Sequence, residues 1–138
     1  MRPVARSKTL SVAIERRPEE VYEYVLNLAH FPEWATSFCR SIRESEDGWW
    51  VIETPDGSMQ IKFVERNAHG VLDHYARLES GQEVFNPMRV IANGSGSEML
   101  FTLFQLPGMS DAKFSEDAGM VEQDLLTLKS VLERKNEK

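Results

Sequence analysis

Apolar residues recur at helical spacing from Ser110 to Asn136. Phe114, Ala118, Val121, Leu125, Leu128 and Leu132 stand four, three, four, three and four positions apart, which places them on one stripe of an α-helix. Ser110 suits the N-cap. Asp111, Glu116 and Asp117 put negative charge near the positive end of the helix dipole, and Lys129, Arg134 and Lys135 put cations near the other. Gly119 lies inside the stretch and leaves room for a kink. Such a helix extends roughly 38 Å at the standard rise. Its stripe needs a partner of similar length.

Upstream the pattern changes to alternation. In Thr9–Glu15, Leu10, Val12 and Ile14 face one way, as in a half-buried strand. Pro18, Glu19 and Glu20 then suit the first turn of a helix over residues 18–28, whose apolar face is Val21, Val25 and Leu28. Phe31, Trp34 and Phe38 predict a second short helix over residues 32–37. From there turn signals recur at Asp47-Gly48, Pro55-Asp56-Gly57, Asn67 to Gly70, Ser80-Gly81 and Asn93 to Gly96. They separate six strands, about 38–46, 49–54, 58–66, 71–78, 83–92 and 97–105, that short connections join as antiparallel neighbours. Pro87 predicts a bulge or an edge position, because proline cannot donate to a ladder. The order is strand, two short helices, six-strand meander and long helix. It predicts an α+β domain in which a curved, seven-stranded antiparallel sheet wraps the long helix and leaves a space where a small apolar ligand can bind.

Alternation then sorts the side chains. Met59, Ile61 and Phe63 point inward opposite Ser58, Gln60 and Lys62. Met99, Phe101 and Leu103 do so in the last strand, as do Leu72, His74, Ala76 and Leu78 in the strand over 71–78. Trp50 and Ile52 are placed inside, and so are Met88 and Val90, subject to the register at Pro87. With Trp34 and the helix residues Phe114, Val121 and Leu125 they outline an apolar chamber with few polar groups. Each residue alone also reads as ordinary core. The opposite face carries Trp49, Val51, Val71, Tyr75, Phe85, Ile91, Leu100 and Phe104. A contiguous patch of that kind predicts pairing with a second copy of the chain.

Composition narrows the function. The 138 residues predict one domain, with residues 1–7 as an N-terminal tail. A net charge of −6 argues against a nucleic-acid binder or an anionic-membrane binder. The basic cluster of Arg2, Arg6, Lys8, Arg16 and Arg17 reads as solvated surface. No run approaches the ~20 apolar residues of a membrane span, no signal peptide opens the chain, and Cys39 is the one cysteine. These features predict a cytoplasmic protein without membrane insertion.

Chemistry is sparse. His74 has two readings: an imidazole that orients a ligand or moves a proton, or a core histidine satisfied by a neighbouring strand. Asp73 cannot brace it from the same side, because adjacent strand residues point to opposite faces. His30, His69 and His74 lack ligand spacing and predict no metal site. No nucleophile signature is present, and Asn93-Gly94-Ser95-Gly96 sits between strands, as a hairpin rather than a phosphate loop.

The strand Thr9–Glu15, the run Arg17-Pro18-Glu19-Glu20-Val21-Tyr22 and the segment Phe31-Pro32-Glu33-Trp34 resemble the opening of the START/Bet v 1-like superfamily, with its polyketide cyclase/dehydrase and lipid-transport members. Gly70-Val71-Leu72-Asp73-His74 and Pro107-Gly108 before the last helix resemble its small bacterial members. The resemblance implies the helix-grip fold and no cofactor. It implies binding or transport of a small hydrophobic or amphipathic ligand, lipid-like or polyketide-like. The alternatives are an aromatase/cyclase- or dehydrase-type enzyme with His74 as its acid–base candidate, and an interaction module of the Hsp90-activator type. Trp34 falls at the family's signature tryptophan, with a packing role. No catalytic residue carries over to a position here.

Overall fold

The computed structural model describes residues 4–134. In chain order it contains β1 (Ser7–Ile14), α1 (Pro18–Leu26), a 3-10 turn (Leu28–His30), α2 (Phe31–Trp34), β2 (Ser41–Glu44), β3 (Trp50–Thr54), β4 (Gly57–Phe63), β5 (His74–Leu78), β6 (Glu83–Asn86), β7 (Met88–Asn93), β8 (Gly96–Phe104) and α3 (Asp111–Arg134). The element order is the expected one, an α+β helix-grip arrangement. Local signals account for its helix starts. Pro18 opens α1, and Glu20 accepts the Arg17 backbone N–H at 3.3 Å. Ser110 Oγ accepts the Lys113 backbone N–H at 3.0 Å and caps α3. α3 passes unbroken through Gly119. Lys135 and Asn136 of the expected helix, and Arg2 of the basic cluster, lie outside the described residues.

The single seven-stranded sheet is corrected to two antiparallel sheets, β2-β3-β4-β5-β6 and β1-β8-β7. The division falls at Pro87. With no N–H there, the expected strand 83–92 becomes β6, paired to β5, and β7, paired to β8. Asp73 stabilises the break. Its carboxylate accepts the Met88 backbone N–H at 2.8 Å and the Arg89 guanidinium at 3.1 and 3.0 Å. Burial pushes the Asp73 carboxyl up, but Arg89 and the Met88 N–H outweigh it and hold it below the ordinary aspartate value. Side-chain parity survives the break, since Val84 and Asn86 face the same interior as the buried Met88 and Val90.

β5 begins at His74 rather than at residue 71, because the preceding loop has other partners. Asn67 Oδ1 accepts the His69 and Val71 backbone N–H groups, and Leu72 N–H donates to Met88 O at 2.8 Å. Gly70 (φ +71°) lies so close to β7 that a Cβ there would sit 2.3 Å from Val90 O. α1 stops at Leu26 and α2 spans four residues, both shorter than expected. Arg6 and Ser7, placed in the expected tail, are tied to the sheet instead, since Ser7 pairs with Phe104 and Arg6 O accepts the Gln105 N–H.

The core runs from α3 to both sheets and the short helices. Leu125, Leu128 and Leu132 of α3 join Val12 and Ile14 of β1, Val21 and Val25 of α1, and Val90 and Met99 of the three-stranded sheet in one buried cluster. Full burial of each such aliphatic side chain contributes about 1.5–3 kcal/mol. Arg16 donates to Leu132 O at 2.6 Å and Lys129 Nζ to Ala13 O at 2.9 Å, tying the C-terminal half of α3 to the β1–α1 corner.

Candidate functional site

The inner face of the five-stranded sheet, α2 and α3 border one space, with β7 and β8 contributing Met88 and Phe101. Between them lies a cavity of about 460 Å³, within the range of small-molecule sites. Its inner wall is buried and apolar: Ile61 of β4, Ala76 of β5, Met88 of β7, Phe101 of β8, Leu125 of α3 and Trp34 of α2. Met59, Phe63 and Val121 complete this surface. All of these were expected from alternation and helical spacing.

Five expected members lie elsewhere. Ile52, Val90 and Met99 are fully packed core, and Trp50 packs against that core at its edge. They point to the expected side, but neighbouring side chains fill the space there. Phe114 faces β1 instead, with the Arg6 guanidinium 5.1 Å from its ring centroid. Conversely, Phe104 was expected outside and borders the cavity. The expectation of few polar groups also needs correction. Thr54, Asp56, Ser58, Glu79, Ser80, Asn86, Lys113, Asp117 and Asp124 all border the space. Most sit on hairpin ends or on the flank of α3, where neither the strand period nor the apolar stripe picks them out. Asp124 carries the faintest signal, a carboxylate one position from the apolar Leu125.

His74 is 5% exposed and lies among aromatic rings, with Phe63 edge-on at 5.1 Å and Phe101 tilted at 5.6 Å between centroids. Its Nδ1 is 3.1 Å from Leu72 O. A carbonyl only accepts, so Nδ1 carries the proton and Nε2 presents a bare lone pair. Among the described residues no buried side-chain nitrogen or oxygen lacks a partner. Nε2 has no hydrogen-bond partner among the described residues, so it faces the open cavity. Burial is the main influence on the ring and lowers its pKa to about 4, against weaker upward pulls from Leu72 O and Asp73. At neutral pH His74 is therefore a neutral acceptor in an apolar wall. Asp73 points away from it, to Arg89.

The mouth lies between the β3–β4 and β5–β6 hairpin ends and the start of α3. Asp56, Glu79, Ser80 and Phe104 are exposed there, and Met109 and Lys113 are half-buried. Lys113 Nζ reaches across the opening, 3.1 Å from Asp56 Oδ2 and 3.3 Å from Asp117 Oδ1. Deeper in, Asp124 Oδ1 accepts the Ser37 backbone N–H at 2.9 Å and so ties α3 to the loop after α2. Burial raises the Asp117 and Asp124 carboxyls above the ordinary aspartate value.

No protein-family model and no curated protein matches the sequence. Solved structures do match in shape. The protein XoxI from Bacillus cereus is 17% identical with a TM-score of 0.73, over 91% of this chain and 94% of that one. Ara h 8.0201 is 11% identical with a TM-score of 0.71, over 93% and 97%. The Aha1 dimer from Colwellia psychrerythraea is 14% identical with a TM-score of 0.74, over 92% and 96%. At these identities the likeness speaks for architecture alone. The strands, the long C-terminal helix and these matches agree: the chain has the helix-grip fold, the architecture that its resemblance to START/Bet v 1-like proteins implies.

Proposed function

We propose that the protein binds a small amphipathic molecule in the cavity between α3 and the five-stranded sheet, with a hydroxyl or N–H of the ligand donating to His74 Nε2. The observation that carries this reading is the unpartnered, inward-facing nitrogen in an otherwise apolar wall. A ligand donor meeting this acceptor in an apolar wall makes an electrostatically stronger hydrogen bond than it would in bulk water. Binding is favoured over acid–base catalysis because a ring with a pKa of about 4 is a weak base at neutral pH. It is favoured over a pure interaction module because the space inside the grip is not filled by side chains.

The test is a matched pair of probes, 2-naphthol and its methyl ether, titrated calorimetrically. The phenol can donate and the ether cannot. The phenol should bind about tenfold more tightly, the worth of one hydrogen bond, and His74→Phe should erase the difference. The reading fails if neither probe binds, or if both bind alike to the wild type.

A further inference from the structure

The apolar wall around His74 carries no charge at neutral pH, but ionisable side chains border the cavity elsewhere. Four carboxylates border the space, from Asp56, Glu79, Asp117 and Asp124, against one ammonium, that of Lys113. Lys113 is already shared between Asp56 and Asp117. Asp124 has a backbone N–H as its partner. Glu79 folds over the β3–β4 turn, where a Cβ on Gly57 would come within 2.5 Å of its Oε1, and it forms no ion pair among the described residues. Asp117 and Asp124 stay above the ordinary aspartate value because burial outweighs what their partners offer. Negative charge at a partly buried opening acts more strongly on a ligand than it would in water. The second observation is independent of these acids: His74, nine-tenths buried, turns an unpartnered nitrogen into the same cavity.

From these we infer that the cavity is selective for basic amphiphiles, with the apolar body against Met59, Ile61 and Met88 and an ammonium at the mouth beside Glu79 and Asp117, and that it discriminates against fatty carboxylates and phosphates. This rests on the cavity being a ligand site. It names the class of ligand: an aliphatic or aromatic amine rather than an anionic lipid.

The experiment compares decylamine, 1-decanol and decanoate, which share one chain and differ in head-group charge, by calorimetric titration at neutral pH and low salt. The amine should bind at least about tenfold more tightly than the carboxylate, with the alcohol between them, and added salt should narrow the gap. The double variant Glu79→Gln/Asp117→Asn should bring amine and carboxylate close to parity. Glu44→Gln/Glu46→Gln, at the far β2–β3 turn, changes net charge equally and should leave the preference intact. Decanoate binding as tightly as decylamine would overturn the selectivity while leaving the cavity a ligand site. So would a remote variant that collapses the preference as fully as the mouth variant. Failure of all three probes to bind would overturn the ligand-site reading and this inference with it.

Discussion

Residues of one apolar stripe on α3 meet opposite fates. Leu128 and Leu132 are sealed against β1, α1 and β8 and leave no space. Val121 and Leu125, on the same stripe, border a cavity of about 460 Å³. The helix does not decide this difference; the sheet does. Near the C-terminal half, Arg16 and Lys129 draw α3 onto β1. Phe114 and Ala118, nearer its start, are buried as well, whereas Val121 and Leu125 meet the open space beside the five-stranded sheet. Apolar spacing reports which face of a helix turns inward. Whether that face is packed or hollow depends on the curvature of what it meets.

The sharpest break of this comparison is a pair of truncations read by urea denaturation. Leu128→Ala should cost about 3–4 kcal/mol, because a rigid core keeps the void. Val121→Ala should cost about 1 kcal/mol or less, because it enlarges a space already there. Equal losses would mean that Val121 is packed as tightly as Leu128.

Next in size is the pH dependence set by His74. Its folded pKa, about 4, lies below the ordinary 6.5. Its contribution is therefore fully present above pH 6.5 and is lost as pH falls toward 4, by about 3 kcal/mol. Asp117 and Asp124 work in the opposite sense. Their raised folded values mean that protonation relieves a cost as pH falls. Comparing wild type with His74→Phe across this range isolates the imidazole, and the variant should lack the His74 share of the acid loss.

The joint between the two sheets can be loosened directly. Asp73→Ala leaves the buried Met88 N–H without its acceptor and should cost about 2 kcal/mol, whereas Asp73→Asn keeps an acceptor and should cost less. The smallest effect runs the other way. A methyl on Gly119 meets nothing within 4 Å, so Gly119→Ala should stabilise α3 by about 0.5–1 kcal/mol. A loss there would show that the helix needs its glycine.

Much of the architecture was legible in the sequence. The turn signals separate the strands, the alternation sorts their faces and Ser110 marks the cap of α3. What escaped is physical in kind. Pro87 announces an interruption, but that a carboxylate fourteen positions upstream stabilises it depends on a tertiary contact with no local signature. Inward parity places Ile52 and Met99 correctly as to side, yet says nothing of whether neighbours fill the space beyond them. The polar mouth assembles from hairpin ends and the start of α3, whose meeting no periodicity encodes. His74 was visible as a candidate, but its tautomer and its bare nitrogen follow only from the Leu72 carbonyl beside it.

The most direct measurement is the ring nitrogen spectrum of His74, recorded by long-range proton–nitrogen NMR during titration with 2-naphthol at neutral pH. The account predicts a neutral ring with Nδ1 protonated in the free protein, and an upfield shift of Nε2 as it accepts the phenol hydrogen. A protonated ring in the free protein, or an Nε2 resonance that stays fixed while the phenol binds, would contradict it.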